Sequence, residues 1–203
     1  MNLEERIDAF VQLGKFLSGL SEESPAFMGK ELEKLKSKIE ECEIRNNWFT
    51  EDSINNSLLS LSNQLSSDNF NAWITPYNLS NSGEGKRVLL VMAGNIPLVG
   101  FHDFLSVIVS GNKAVVKLSS NDNILFPYLC EVLCKINPNF SKKLEYIENL
   151  KEKKFDAVIA TGSDNSSKYF EYYFKNIRRI IRKNRRSVAV LNGKETDKEM
   201  KGL

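Results

Sequence analysis

Residues 88–120 read VLLVMAGNIPLVGFHDFLSVIVSGNKAVVKLSS, and the way this stretch is punctuated decides the fold. Val88–Met92 is a continuous apolar run, short enough for a strand buried on both faces. Ile96–Ser110 reads as a helix, with Pro97 suited to its first turn. Gly111-Asn112 ends that helix in the left-handed conformation, and Ala114–Lys117 is a second short strand.

Working outward, the same alternation continues. Leu125–Ile136 is a helix, Leu144–Ile147 a weaker strand and Phe155–Ala160 a strong one. Tyr169–Ile181 then reads as a helix and Ser187–Leu191 as a fifth strand. Strands and helices alternating at this spacing predict an α/β fold with an open, doubly wound parallel sheet. Such sheets bind ligands at the carboxyl ends of their strands.

Upstream, residues 1–80 read as a helical segment. Leu3, Ile7, Phe10, Val11, Phe16 and Leu17 make one amphipathic face. Pro25 can open a second helix, running through Leu32, Leu35, Ile39 and Cys42. Thr50 is a good N-cap for a third, whose stripe is Ile54, Leu58, Leu61 and Leu65. Trp48 and Trp73 read as core fillers at the ends of that helix. Residues 80–85, SNSGEG, form a polar hinge, and 81–194 the α/β domain.

Composition excludes several function classes. Net charge is +2, so bulk charge argues for neither nucleic acid nor a membrane surface. No apolar run is long enough for a membrane span, and MNLEERIDAF lacks the apolar core of a secretory signal. Three cysteines suit reduced thiols and a cytoplasmic setting. His102 is the only histidine and no CxxC is present, so no metal site is expected. GxGxxG is missing after the first strand. Gly83-Glu84-Gly85-Lys86 precedes its strand and Arg87 follows where Ser or Thr should stand, so it is no P-loop.

Three segments that follow strands can carry chemistry, and each also has a plainer reading. In Met92-Ala93-Gly94-Asn95-Ile96-Pro97, Gly94 permits close approach of a flat ligand and Asn95 offers an amide donor to a developing oxyanion. The same residues suit a tight turn with an Asn cap. Lys117, at the end of its strand, can reach ribose hydroxyls or a phosphate, or can simply be solvated. In Ala160-Thr161-Gly162-Ser163-Asp164, Thr161, Ser163 and the first N–H groups of a helix can cradle a phosphate. Alternatively Ser163 or Asp164 is only a helix cap.

Together, AGNIPLVGFHDFLSVIVSGN, VVKLSS, VIATGSD and the SVAVLNG end resemble the acyl-CoA reductase branch of the aldehyde dehydrogenase superfamily, which includes the fatty-acid reductase of bacterial luminescence. NNWFTEDSI and NAWITPY resemble it too, so the likeness covers nearly the whole chain. It implies an aldehyde dehydrogenase-type nucleotide-binding domain that reduces an acyl-CoA thioester to an aldehyde. By position, Asn95 would donate to the thioester oxygen, with Gly94 beside it. Lys117 and Ser119 would bind the adenosine ribose, Ser163 the pyrophosphate, and Thr161 with Gly162 would lie near the nicotinamide. NAD-preferring relatives commonly carry an acid three residues after the lysine. Here Ser120 stands there, so NADPH is expected over NADH.

The likeness also has departures. No Glu precedes Asn192-Gly193-Lys194, so a general base of that kind is not assignable. The superfamily's nucleophilic cysteine lies further along, and Cys42, Cys130 and Cys134 read as structural thiols on helices. Residues 195–203 look like the start of a catalytic domain cut short, which implies an N-terminal fragment that supplies only the cofactor half and is inactive alone. His102 reads as a hydrogen-bonded helix residue, with proton transfer the alternative. Arg178–Arg186 reads as a solvated helix end, then as a site for coenzyme or cofactor phosphates. The rival of another class is a non-catalytic α/β module using this 178–186 run to bind RNA or an acidic partner. The aromatic cluster Tyr169, Phe170, Tyr172, Tyr173 and Phe174 reads as core packing.

Overall fold

The computed structural model describes residues 1–21, 27–79, 85–150, 154–183, 188–191 and 193–200. Pro25, most of the 80–85 hinge, residues 184–187 and Asn192 lie outside the described residues. Four helices come first: α1 (Leu3–Ser18), α2 (Gly29–Arg45), α3 (Glu51–Gln64) and α4 (Ser67–Ile74). A reciprocal capping box opens α1: Asn2 Oδ1 accepts from Glu5 N at 2.8 Å, and Glu5 Oε2 accepts from Asn2 N at 2.7 Å. Thr50 caps α3, its hydroxyl oxygen accepting from Ser53 N at 3.2 Å.

The rest of the chain alternates β1 (Arg87–Val91), α5 (Phe101–Val109), β2 (Lys113–Lys117), α6 (Leu125–Ile136), β3 (Leu144–Tyr146), β4 (Ala157–Thr161), α7 (Asp164–Tyr173) and β5 (Arg178–Arg182), ending in α8 (Asp197–Met200). All strand pairs are parallel, in the order β3-β2-β1-β4-β5. From β1 the chain runs outward to β2 and β3, then returns to the other flank of β1. The sheet therefore has a topological switch point between β1 and β4.

Successive residues of a strand face opposite sides of a sheet. Val88, Leu90, Ala114 and Val116 join one core with α1–α6, while Leu89, Val115, Val158 and Ala160 join a second with Phe155 and Phe174. The N-terminal helices thus share the core of the first sheet face. Phe10 of α1 is its hub, meeting Phe70, Phe101, Phe104 and Phe140 edge-on at centroid distances of 6.1, 6.4, 6.1 and 5.5 Å.

Several elements differ from the sequence reading. The helix after β1 begins at Phe101, because Leu98 takes a left-handed φ of 59° and Pro97 is buried in the turn before it. The left-handed end at Gly111 (φ 86°) is present, and Asn112 Oδ1 accepts from Lys86 N at 3.0 Å. α7 stops at Tyr173, and Arg178–Arg182 is an edge strand. Val188–Leu191 forms no strand. A charged Arg-Arg-Ile-Ile-Arg strand suits a sheet edge, where arginines keep further chains from pairing. Trp48 is 87% exposed and fills no core, whereas Trp73 is half-buried and stacks on Phe70 at 5.7 Å. Tyr169, Tyr172 and Tyr173 are 66, 70 and 63% exposed, since α7 rests on the sheet through Ser167, Phe170 and Phe174.

Replacing Phe10 by Ala should cost about 3–5 kcal/mol, a large part of a typical domain's stability. Urea unfolding checks this, and a loss below about 1 kcal/mol would show that the phenylalanine cluster does not anchor α1 to the sheet.

Candidate nucleotide site

Parallel register fixes where the three segments emerge. Val91 of β1 stands opposite Lys117 of β2 on one side and Ala160 of β4 on the other. The chain segments holding Asn95, Ser119 and Ser163 therefore leave the same carboxyl edge, spanning the switch point. Asn95, Ser120 and Ser163 are exposed, while Gly94, Lys117, Ser119, Thr161 and Gly162 are half-buried.

The β1 and β2 loops touch. Met92 N donates to Lys117 O at 3.0 Å, continuing the strand pairing one step beyond β1. A side chain on Gly94 would place its Cβ 2.4 Å from Ser119 Oγ, so only glycine fits. The close approach that this glycine permits is to the neighbouring loop of the protein itself. Ser119 Oγ accepts from Asn121 N at 3.2 Å, and Asn46 Nδ2 donates to Asn121 O at 3.2 Å, which backs the loop with the end of α2.

At β4, Gly162 N donates to Arg182 O at 3.2 Å, tying the turn to β5. Ser163 is the cap of α7, its Oγ accepting from Ser166 N at 3.3 Å. Ser119 keeps a hydroxyl proton to donate after accepting its bond, and Ser163 Oγ shares a second bond with Ser166 Oγ at 3.2 Å. The positive end of the ten-residue α7 faces the same edge.

Asp122 is a member of this neighbourhood that the sequence reading missed. It is 7% exposed, and its Oδ2 accepts from Leu98 N at 2.9 Å. Its Oδ1 is buried without a hydrogen-bond partner. Burial pushes its carboxyl up to about 6, and the Leu98 N–H opposes this only in part. A bond to a carboxylate contributes about 1.5–3 kcal/mol, enough to offset the roughly 1–2 kcal/mol cost of a left-handed leucine.

The remaining candidates are placed elsewhere. Gln64 Nε2 donates to His102 Nδ1 at 3.1 Å, and the imidazole lies against Trp73. His102, Gln64, Pro97 and Leu98 line a groove of about 340 Å³ between α3 and the turn before α5. Burial pushes the Cys42 thiol up to about 12 and holds Cys130 higher still. Cys134 is half-buried and also raised by burial. Thiols held protonated in this way are poor nucleophiles.

Much of the basic run is engaged within the fold. Arg182 Nη1 reaches both carboxylate oxygens of the buried Asp103 at 2.6 and 2.7 Å, joining β5 to α5. Lys183 pairs with Glu171 at 2.8 Å, and Arg179 donates to the carbonyls of Phe174 and Lys175. Its first residues form a strand, not a helix end. Among the described residues, no group of three or more His, Cys, Asp or Glu is arranged to hold a metal ion. No described helix is long and apolar enough to cross a membrane.

The family described as acyl-CoA reductase (LuxC) matches residues 25–199. Among solved structures, Proline Utilization A from Corynebacterium freiburgense superposes with a TM-score of 0.59 at 12% identity, over 89% of this chain and 18% of that one. Gamma-glutamyl phosphate reductase from Saccharomyces cerevisiae is 16% identical with a TM-score of 0.49, over 89% of this chain and 51% of that one. The chain thus spans a fifth to a half of these proteins' length, and the first likeness speaks for the fold alone. No curated protein matches the chain.

The raised carboxyl of Asp122 has a consequence for stability. Its folded-state value of about 6 lies above the ordinary 3.8, so the folded protein holds a proton that the unfolded chain releases between these limits. Its contribution is present below about pH 4 and lost as pH rises through 6. From pH 4 to 7, unfolding free energy should shift in favour of Asp122→Asn over the wild type by up to about 3 kcal/mol. Urea unfolding of both proteins at the two pH values checks this, and a pH-independent gap would contradict it.

Proposed function

The chain belongs to the acyl-CoA reductase (LuxC) family, and from that premise we propose that it is the cofactor-binding half of an enzyme reducing an acyl-CoA thioester to an aldehyde with NADPH. The observation that carries the reading is the register of β1 with β2 and β4, which brings three polar loops to one edge across the switch point.

The residues at that edge fit a pyridine dinucleotide. Lys117 supplies an ammonium for ribose hydroxyls or a 2′-phosphate, with the Ser119 and Ser120 hydroxyls following it. Ser163 and the start of α7 supply donors for the pyrophosphate, beside Thr161 and Gly162. NADPH, when bound, supplies a hydride for the acyl carbon. Asn95, exposed on the β1 loop, donates its amide N–H to the thioester oxygen, where negative charge develops as the carbonyl is attacked. The attacking thiolate is assigned to none of Cys42, Cys130 and Cys134, given their burial. This chain therefore contributes binding and oxyanion stabilisation.

The preference for NADPH follows from position 120. A carboxylate there would accept from a free 2′-hydroxyl and repel a 2′-phosphate, whereas Ser120 is uncharged and its hydroxyl can donate to a phosphate oxygen. Titrating the chain with each reduced nucleotide, followed by nucleotide fluorescence, tests this. NADPH should bind more tightly than NADH. Ser120→Asp should weaken NADPH about tenfold or more with little change for NADH, and Lys117→Ala should weaken NADPH about tenfold. A tighter grip on NADH overturns the cofactor assignment. No response to either nucleotide, with salt-sensitive retention of RNA instead, overturns the enzyme reading.

A further inference from the structure

We propose that Asp122 is a positioning residue that locks the Asn95 turn to the Lys117–Ser120 loop, so that the oxyanion donor and the ribose-binding groups are held as one unit. This inference rests on the reading of those two loops as a nucleotide and substrate site.

Two hydrogen bonds tie the chain after β1 to the end of β2 and the loop that follows it. The first is Met92 N to Lys117 O at 3.0 Å, and the second Leu98 N to Asp122 Oδ2 at 2.9 Å. They bracket Gly94 and Asn95, one tie before the pair and one after. Between them Gly94 packs directly on Ser119, with Asp122 N 3.1 Å from where its Cβ would be. Within the turn itself the backbone closes through Val99 N to Ile96 O at 3.3 Å and Phe101 N to Leu98 O at 2.9 Å. Neither bond fixes the turn relative to the sheet edge, so beyond the apolar packing of Leu98 the polar tie there is Asp122.

Asp122 is itself held firmly. It bridges back to Ser119, whose carbonyl accepts from Asp122 N at 3.4 Å. Asn46 grips the preceding residue through its carbonyl. A buried aspartate with one unpartnered oxygen is a poor choice for packing alone. An apolar residue would fill the space better but would leave the Leu98 N–H without an acceptor. The aspartate is therefore matched to one need, which is capping a left-handed leucine three residues after Asn95.

The test is NADPH titration of the chain combined with amide hydrogen exchange at residues 94–98, for the wild type and three variants. Asp122→Ala should weaken NADPH about tenfold and open the Leu98 amide to exchange, whereas Asp122→Asn, whose side-chain oxygen still accepts, should return both to within about threefold of wild type. Asp122→Ser keeps a polar atom but falls short of Leu98, so it should behave as alanine does and serves if alanine prevents folding. Rescue by asparagine separates a positioning role from general loss of packing. If the wild type binds and Asp122→Ala or Asp122→Ser binds equally well with its Leu98 amide exposed, the positioning role is overturned alone. A wild-type chain that binds no NADPH overturns the nucleotide-site reading beneath it.

Discussion

Val91 stands in parallel register with Lys117 on one side and with Ala160 on the other, and the proposed chemistry depends on that alignment. Parallel strands in register end together, so the loops that follow them open onto one edge. A slip of a single residue would turn each strand's buried set to the wrong face. The alternation of Val88 and Leu90 with Leu89 across two separate cores makes such a slip costly. Packing of the sheet and placement of the site are thus one constraint.

Two further devices hold the edge in shape. Phe10 and its four phenylalanine neighbours join α1, α4, α5 and the Pro138–Lys142 turn into the core beneath the first sheet face. The N-terminal helices are therefore part of what supports β1 and β2. At the opposite flank, the Asp103–Arg182 pair fastens β5 to α5, with Asp103 buried and both its oxygens engaged. Removing one partner of such a pair would leave an uncompensated charge. Both devices leave the loops free to present polar groups outward, because the work of cohesion is done below them.

What could be read in the sequence was whatever depends on local pattern. The apolar runs at Val88–Met92 and Phe155–Ala160, the stripes of α1–α3 and the cap at Thr50 all follow from spacing, and the structure carries them. β5 was hidden because Arg178-Arg179-Ile180-Ile181-Arg182 holds only two apolar residues to reveal it, and its arginines imitate a helix end. Trp48 and the α7 tyrosines were misread because an aromatic residue signals burial only when its helix buries that face. Asp122 was hidden for a different reason. In Ser119-Ser120-Asn121-Asp122-Asn123 it looks like one more polar turn residue, and only contact with Leu98, 24 positions earlier, distinguishes it. The candidate segments were legible singly, but their common edge is a property of strand order.

In the proposed enzyme the β1, β2 and β4 loops hold a single dinucleotide. The most direct measurement is a backbone amide spectrum of the isotopically labelled chain recorded with and without NADPH. Shifts should be confined to three stretches: the β1 loop with Asn95, the β2 loop from Lys117 to Asp122, and the Thr161–Ser166 turn. Shifts gathered instead along the Arg178–Arg182 strand, or in only one of those loops, would contradict a shared site.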